Sequence, residues 1–272
     1  MTESDASPRY YSQFGEDAVL CRFFDFKRDG FFVEVGAFDG IHFSNTYCFE
    51  QWGWRGLCVE PHPRYFPLCR DNRPGSKVLN LACVKDASTT EVSFMAETIG
   101  LLSGVAVDEA DVNRRYTARG LAFDGFERVT VKAATLDGIL REHLPAGTPI
   151  DFVSIDVEGT ELDVLRGFDL RKYRPRVIVI EANDEAAKAA LLAFFADFPE
   201  YRFARSTGVN LFFVLGEDEA KRLAALPIEA VVEAQSHPLG ERYTVQAQIA
   251  HHRPKVSLLR RVWRRVRRLI AR

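Results

Sequence analysis

Phe31-Phe32-Val33-Glu34-Val35-Gly36-Ala37-Phe38-Asp39-Gly40 is the stretch on which the fold turns. Its first five residues are apolar and β-favouring apart from Glu34, and two glycines follow at G-x-x-x-G spacing. The pattern predicts a buried strand that ends in a tight loop. Where a parallel strand ends and a ligand must come close to the backbone, a Cβ would be in the way, so glycine belongs there. The stretch therefore reads as a nucleotide-type cofactor loop.

A dinucleotide site would carry G-x-G-x-x-G, whose backbone amides and helix N-terminus hold a pyrophosphate. This loop has instead two carboxylates, Glu34 and Asp39. They would repel a diphosphate and attract a cofactor with a cationic end, such as the ammonium and sulfonium of S-adenosylmethionine. Further on, Gly56-Leu57-Cys58-Val59-Glu60 reads as a second strand ending in an acid. From that position a carboxylate can accept both hydroxyls of a ribose. The alternative is that Glu34 and Glu60 are solvated strand-end charges.

The chain has 272 residues, 47% hydrophobic and 27% charged, which is material for one domain with a sizeable core. An acidic, polar start at Met1–Asp5 and the absence of a long apolar run give the expectation of no signal peptide and a cytoplasmic location. Cys21, Cys48, Cys58, Cys69 and Cys83 lack C-x-x-C spacing and read as reduced core thiols, and His42 and His62 read as surface histidines. Of the formal charge of −2, residues 251–272 hold +9 without an acid, which leaves −11 on residues 1–250.

In chain order, residues 1–9 are expected to be disordered. A capped helix is predicted over 10–26, starting near Ser12 or Gly15, with Gln13 bordering the cofactor. A short helix capped by Ser44 or Asn45 follows the loop, and another opens at Pro61-His62-Pro63. Strands are predicted at 77–84 and 91–96. Residues 98–128 read as a long irregular, substrate-covering insertion or a disordered loop. A strand at 129–136 and a helix to His143 come next. Ile150–Ile155 is a buried strand closed by Asp156 and Glu158, and Arg176–Glu181 is another that ends in an acid. A helix from Asp184 and a hairpin around Gly208 complete the pattern. Alternating strands and helices predict an α/β, doubly wound, mostly parallel sheet with ligands at the carboxyl ends of its strands.

Four motifs in order, Ser12-Gln13-x-Gly15-Glu16-Asp17, Val33–Gly40 followed by Ser44-Asn45-Thr46, Gly53–Pro61, and Ile155-Asp156-Val157-Glu158-Gly159-Thr160-Glu161, resemble the FkbM-type methyltransferases over roughly residues 10–215. The resemblance implies a class I, seven-stranded, Rossmann-like domain. It also implies S-adenosylmethionine-dependent O-methylation of sugars, glycans or polyketide-like hydroxyls, with surface polysaccharide biosynthesis as a setting. Carried over by position, Glu34, Gly36 and Asp39 surround the methionine end, Glu60 the ribose, and Leu81-Ala82 the adenine. Ala37, Asn45 and Asp156 complete the expected cofactor set. Where family members often carry asparagine, this chain has Phe38.

A sugar hydroxyl is a weak nucleophile and needs a general base or a metal ion. Asp156 and Glu181, with Asn183 or Asp184 just beyond, are the candidates for either role. Oxygen-only ligands favour Mg²⁺ or Ca²⁺. Glu158 reads as a loop anchor. Two competing functions are a nicotinamide-dependent sugar oxidoreductase, opposed by the missing G-x-G-x-x-G, and a non-catalytic cofactor-binding module.

Residues 216–250 read as a helical or irregular extension. Beyond it, Leu259, Val262, Trp263, Val266, Leu269 and Ile270 fall on one face of a helix whose other face is arginine. Such a basic amphipathic helix suits an anionic membrane surface, here through residues 256–272, on the inner face of the membrane. Its acceptor would then be a lipid-linked or membrane-proximal glycan. Docking on a partner or on the chain's own acidic body is the alternative, and nucleic acid is the least favoured ligand.

Overall fold

The computed structural model describes residues 9–97, 102–118 and 123–227. The expected N-terminal disorder (all but Arg9), most of the 216–250 extension and the basic tail lie outside these residues. The elements are α1 (Glu16–Phe23), β1 (Phe31–Val35), α2 (Tyr47–Gln51), β2 (Arg55–Val59), α3 (Tyr65–Asn72), β3 (Ser76–Leu79), β4 (Ala82–Cys83) and β5 (Glu91–Glu97). They continue with α4 (Glu109–Thr117), β6 (Phe126–Ala134), α5 (Leu136–His143), β7 (Phe152–Ile155), α6 (Glu161–Arg166) and α7 (Leu170–Tyr173). The last are β8 (Val177–Glu181), α8 (Glu185–Ala196), β9 (Tyr201–Thr207), β10 (Asn210–Leu215) and α9 (Glu217–Ala224).

Seven strands form one sheet in the order β3-β2-β1-β7-β8-β10-β9, parallel except for β10, which runs antiparallel to both neighbours. β1 lies at the centre and is buried at every residue. Alternate residues of β1 serve two cores. Phe31, Val33 and Val35 pack with Leu140, Leu165 and Ile180, whereas Phe32 joins Phe23, Phe49, Trp54 and Phe152 on the opposite face. A strand clothed on both faces explains its near-continuous hydrophobicity. Each such side chain contributes about 1.5–3 kcal/mol by leaving water. This is the doubly wound, seven-stranded α/β sheet that the sequence predicts.

Two expectations need correction. The strand predicted over 77–84 is broken, because Asn80 Nδ2 donates to the carbonyls of Glu60 and Pro61 and ends β3 at Leu79. β4 then joins a second sheet of three strands, β4-β6-β5. The 98–128 insertion also contains regular structure among its described residues. Asp108 accepts from the amides of Ala110 and Asp111 and so caps α4. Val112 and Tyr116, one turn apart, bury against Leu102, and the Tyr116 hydroxyl donates to Glu97 at 2.6 Å. A cap and an i, i+4 apolar pair suffice to fold this polar segment once it has a surface to lie on.

Candidate active site

The site lies where β1, β2, β7 and β8 end. The amides of Gly36 and Ala37 both donate to Val59 O, which ties the first loop to the exit of β2, and Asp156 N donates to Val35 O, which ties the exit of β7 to β1. Gly36 has φ +86, and a Cβ there would stand 1.7 Å from Asp156 O. Glycine thus lets two strand exits touch, and both of the candidate half-sites meet at this contact.

Glu60 is buried at the end of β2. Its two carboxylate oxygens accept one backbone amide each, from Phe38 and His62, both at 2.7 Å. Each oxygen keeps a lone pair for another donor. Burial pushes its pKa up to about 8. Asp39 folds back on its own loop, accepting from the amides of Ile41 and His42 and pairing with the His42 ring. Burial alone would raise its pKa, but these partners hold it below the usual value.

Glu34 departs from the expectation of a carboxylate free to attract a cationic cofactor. Ser44 donates to one of its oxygens at 2.7 Å, and Thr46 and Arg73 donate to the other at 2.8 and 3.0 Å. The Arg73 guanidinium, which it shares with Glu50, pairs with it, so its charge serves the fold. His62 likewise is no surface residue. It is buried, accepts from Arg64 N through Nδ1 and faces Glu97 O through Nε2, and burial lowers its pKa to about 4. The five cysteines are buried and free.

Among the remaining candidates, Asn45 is buried and donates to Ser154 Oγ at 3.0 Å. Gln13 is exposed, next to Ser12, which bridges to Phe43 beyond the loop. Ala82 opens β4, and Leu81 packs against the core beside it. The Ser12–Asp17 motif is anchored from within. Glu16 accepts from Thr207 and Asn210, and Asp17 accepts from Ser12 Oγ at 2.6 Å.

Asp156, Glu158 and Glu181 each offer a carboxylate oxygen within 4.8 Å of the others. Both Asp156 and Glu181 lie above the usual carboxylate range, first through burial and then through neighbouring acids, Glu181 the further. Two carboxyls this close disfavour each other's ionised form, so the one shifted further keeps its proton while the other is the first to ionise. Asn183 Nδ2 donates to Glu181 at 2.7 Å, whereas Asp184 serves as the cap of α8, accepting from Ala187 N. Glu158, expected to be a loop anchor, joins this cluster from a left-handed backbone conformation with φ 54. Arg115 of α4 pairs with it at 3.2 Å, so the insertion delivers a guanidinium to the edge of the acids. Nothing in the sequence signalled Arg115 or Arg73, whose partners lie tens of residues away. The three acids supply only hard oxygen donors, the chemistry that a Mg²⁺ ion takes.

A family model described as a methyltransferase FkbM domain matches residues 34–204. Methyltransferase sdnD of Sordaria araneosa is 39% identical over 170 residues, which are 56% of this chain and 65% of that protein, so the match spans just under two thirds of the relative. Among solved structures, an O-methyltransferase from Bacillus cereus in complex with SAH is 13% identical, with 79% of this chain and 84% of that one covered and a TM-score of 0.40. A TehB-like SAM-dependent methyltransferase from Corynebacterium glutamicum is 9% identical, with 75% and 88% covered and a TM-score of 0.37.

Proposed function

The chain belongs to the methyltransferase FkbM-domain family, and from that premise we propose that it moves a methyl group from S-adenosylmethionine to a hydroxyl of a sugar or glycan. The observation that carries this reading is the placement of Glu60 at the exit of β2 on one side of the Gly36 loop, and of Asp156 and Glu181 at the exits of β7 and β8 on the other. Glu60 keeps the lone pairs that two ribose hydroxyls require, and the glycine at 36 leaves the loop without a side chain at its closest approach to β7. The chain's residues therefore fit the cofactor.

S-adenosylmethionine supplies an activated methyl group when bound. The protein's task is to align the acceptor oxygen and to take its proton. Whichever of Asp156 and Glu181 is ionised is placed to take that proton, and Asn183 holds the Glu181 carboxyl in place. Arg115 and Glu158 form the acceptor-facing wall beside the pair. Asp156 and Glu181, with Glu158, would hold a divalent cation such as Mg²⁺, which would lower the pKa of the acceptor hydroxyl. Activity that disappears with EDTA and returns with Mg²⁺ would favour that form of the site.

The basic amphipathic stretch at 256–272 supports a further part of the proposal, that the chain docks on an anionic membrane and methylates a lipid-linked or membrane-proximal glycan. No helix among the described residues is long and apolar enough to cross a membrane.

The test of the cofactor reading is calorimetric titration with S-adenosylhomocysteine and, separately, NAD. Micromolar binding of the former that is lost in Glu60→Ala is the expected result. Binding of NAD alone, or of neither, would refute it.

A further inference from the structure

We infer that Arg73 is a positioning residue for the first cofactor loop and fixes the part of the site that receives the amino-acid end of the cofactor, an inference that rests on the cofactor reading proposed above. Arg73 follows α3 directly, and its side chain is fully buried. Its Nε donates to Glu50 Oε2 at 2.8 Å. Nη1 donates to Glu34 Oε2 and to the carbonyl of Gly40, both at 3.0 Å, and to Ser44 Oγ at 3.3 Å. Nη2 donates to Thr46 Oγ1 at 2.7 Å.

Gly40, Ser44 and Thr46 all lie on the segment that leaves the loop. One planar guanidinium thus sets the path of the chain between Gly40 and α2. The end of α3 reinforces it. Asn72 Nδ2 donates to Asp39 O at 2.9 Å, and a Cβ on Gly40 would stand 2.7 Å from Arg73 Cγ and 3.1 Å from Cys69 Sγ. The loop is therefore moulded on the last turn of α3.

A buried cluster of one guanidinium and two carboxylates adds little to stability compared with apolar side chains of the same volume. What it supplies is direction. The five N–H groups of arginine form a rigid fork, and a lysine ammonium at the same place cannot reach Glu50, Glu34, Gly40 and Thr46 together. A residue that served stability alone would tolerate that exchange in its effect on ligand, whereas a positioning residue would not.

The experiment is calorimetric titration of the full chain with S-adenosylhomocysteine and with adenosine, which has the ribose and base but no amino-acid end. Wild type, Arg73→Lys and Thr46→Val are compared at a temperature where circular dichroism reports each as folded. Arg73→Lys is expected to weaken S-adenosylhomocysteine by about tenfold or more, the scale of a lost hydrogen bond to a charged group, while adenosine changes by less than about twofold. Thr46→Val, which removes the acceptor of Nη2 together with one donor to Glu34 and leaves the charges in place, is expected to show the same selective loss and carries the test should Arg73→Lys fail to fold. Unchanged S-adenosylhomocysteine binding, or parallel loss of both ligands in a folded variant, would overturn the inference. Failure of wild type to bind either ligand would overturn the cofactor reading beneath it.

Discussion

Glu60 shows how far one carboxyl's behaviour follows from its surroundings. Burial raises its pKa to about 8, above the value in the unfolded chain, so the stability it contributes is present at low pH and is lost as pH rises through 8. The ionised form is the one that accepts two ribose hydroxyls. Affinity for S-adenosylhomocysteine should therefore rise between pH 7 and pH 9, and calorimetry should find no such rise in Glu60→Gln. Asp156→Asn keeps the shape of the side chain and removes its capacity to take a proton. It should lower kcat by about 10²–10⁴-fold, the usual contribution of a general base, with S-adenosylhomocysteine affinity little changed. Glu60, Asp156 and Glu181 were legible in the sequence because each closes an apolar run. Arg73 and Arg115 were not, because their partners Glu34 and Glu158 lie 39 and 43 residues away. The pairing of Glu34 was hidden for the same reason, since an acid inside a strand does not announce its distant cation.

α4 was hidden at the level of the element. Its nine residues carry only Val112 and Tyr116 as buried groups, and the neighbouring glycines dominate the local pattern. The helix depends on its tertiary contacts, above all the Tyr116–Glu97 hydrogen bond and the Arg115–Glu158 ion pair. Tyr116→Phe removes one of the donors to the buried Glu97 carboxylate, a loss of about 1–3 kcal/mol. Faster amide exchange confined to 109–117 is the expected signature. Arg115→Ala should raise KM for the acceptor more than it alters S-adenosylhomocysteine binding, and steady-state kinetics would separate the two. The predicted 77–84 strand failed for a comparable reason. One side chain, Asn80, took two backbone carbonyls that propensity had assigned to continuing the strand.

The sheet was the most legible feature at the scale of the molecule, because the near-continuous apolar run of β1 and the acids at strand ends both reflect a parallel core. The order of its strands was not legible, since periodicity alone does not say which strand lies beside which. The charge division, +9 in residues 251–272 against −11 before them, has a consequence for association. An acidic body is repelled by an anionic bilayer, so any attraction must come from the tail. Sedimentation with vesicles rich in phosphatidylserine should retain the full chain at low salt and lose it when residues 251–272 are removed. Each basic residue replaced should weaken binding by about fivefold, equivalent to about 1 kcal/mol. Retention of the truncated chain would refute membrane docking, and preference for RNA over vesicles would point to nucleic acid instead.

The central position of β1 also sets a timetable for synthesis. Its neighbour β2 follows almost at once, but Phe31 bonds on its other side to Asp151, 120 residues later. At about 5–20 residues per second, a ribosome takes roughly 6–24 s to deliver that partner. Throughout that interval the nascent chain displays an unpaired strand edge that is apolar apart from Glu34, the kind that seeds intermolecular pairing. Chains that stall before β7 should consequently be the aggregation-prone ones, and holdase chaperones should be found on nascent chains of that length.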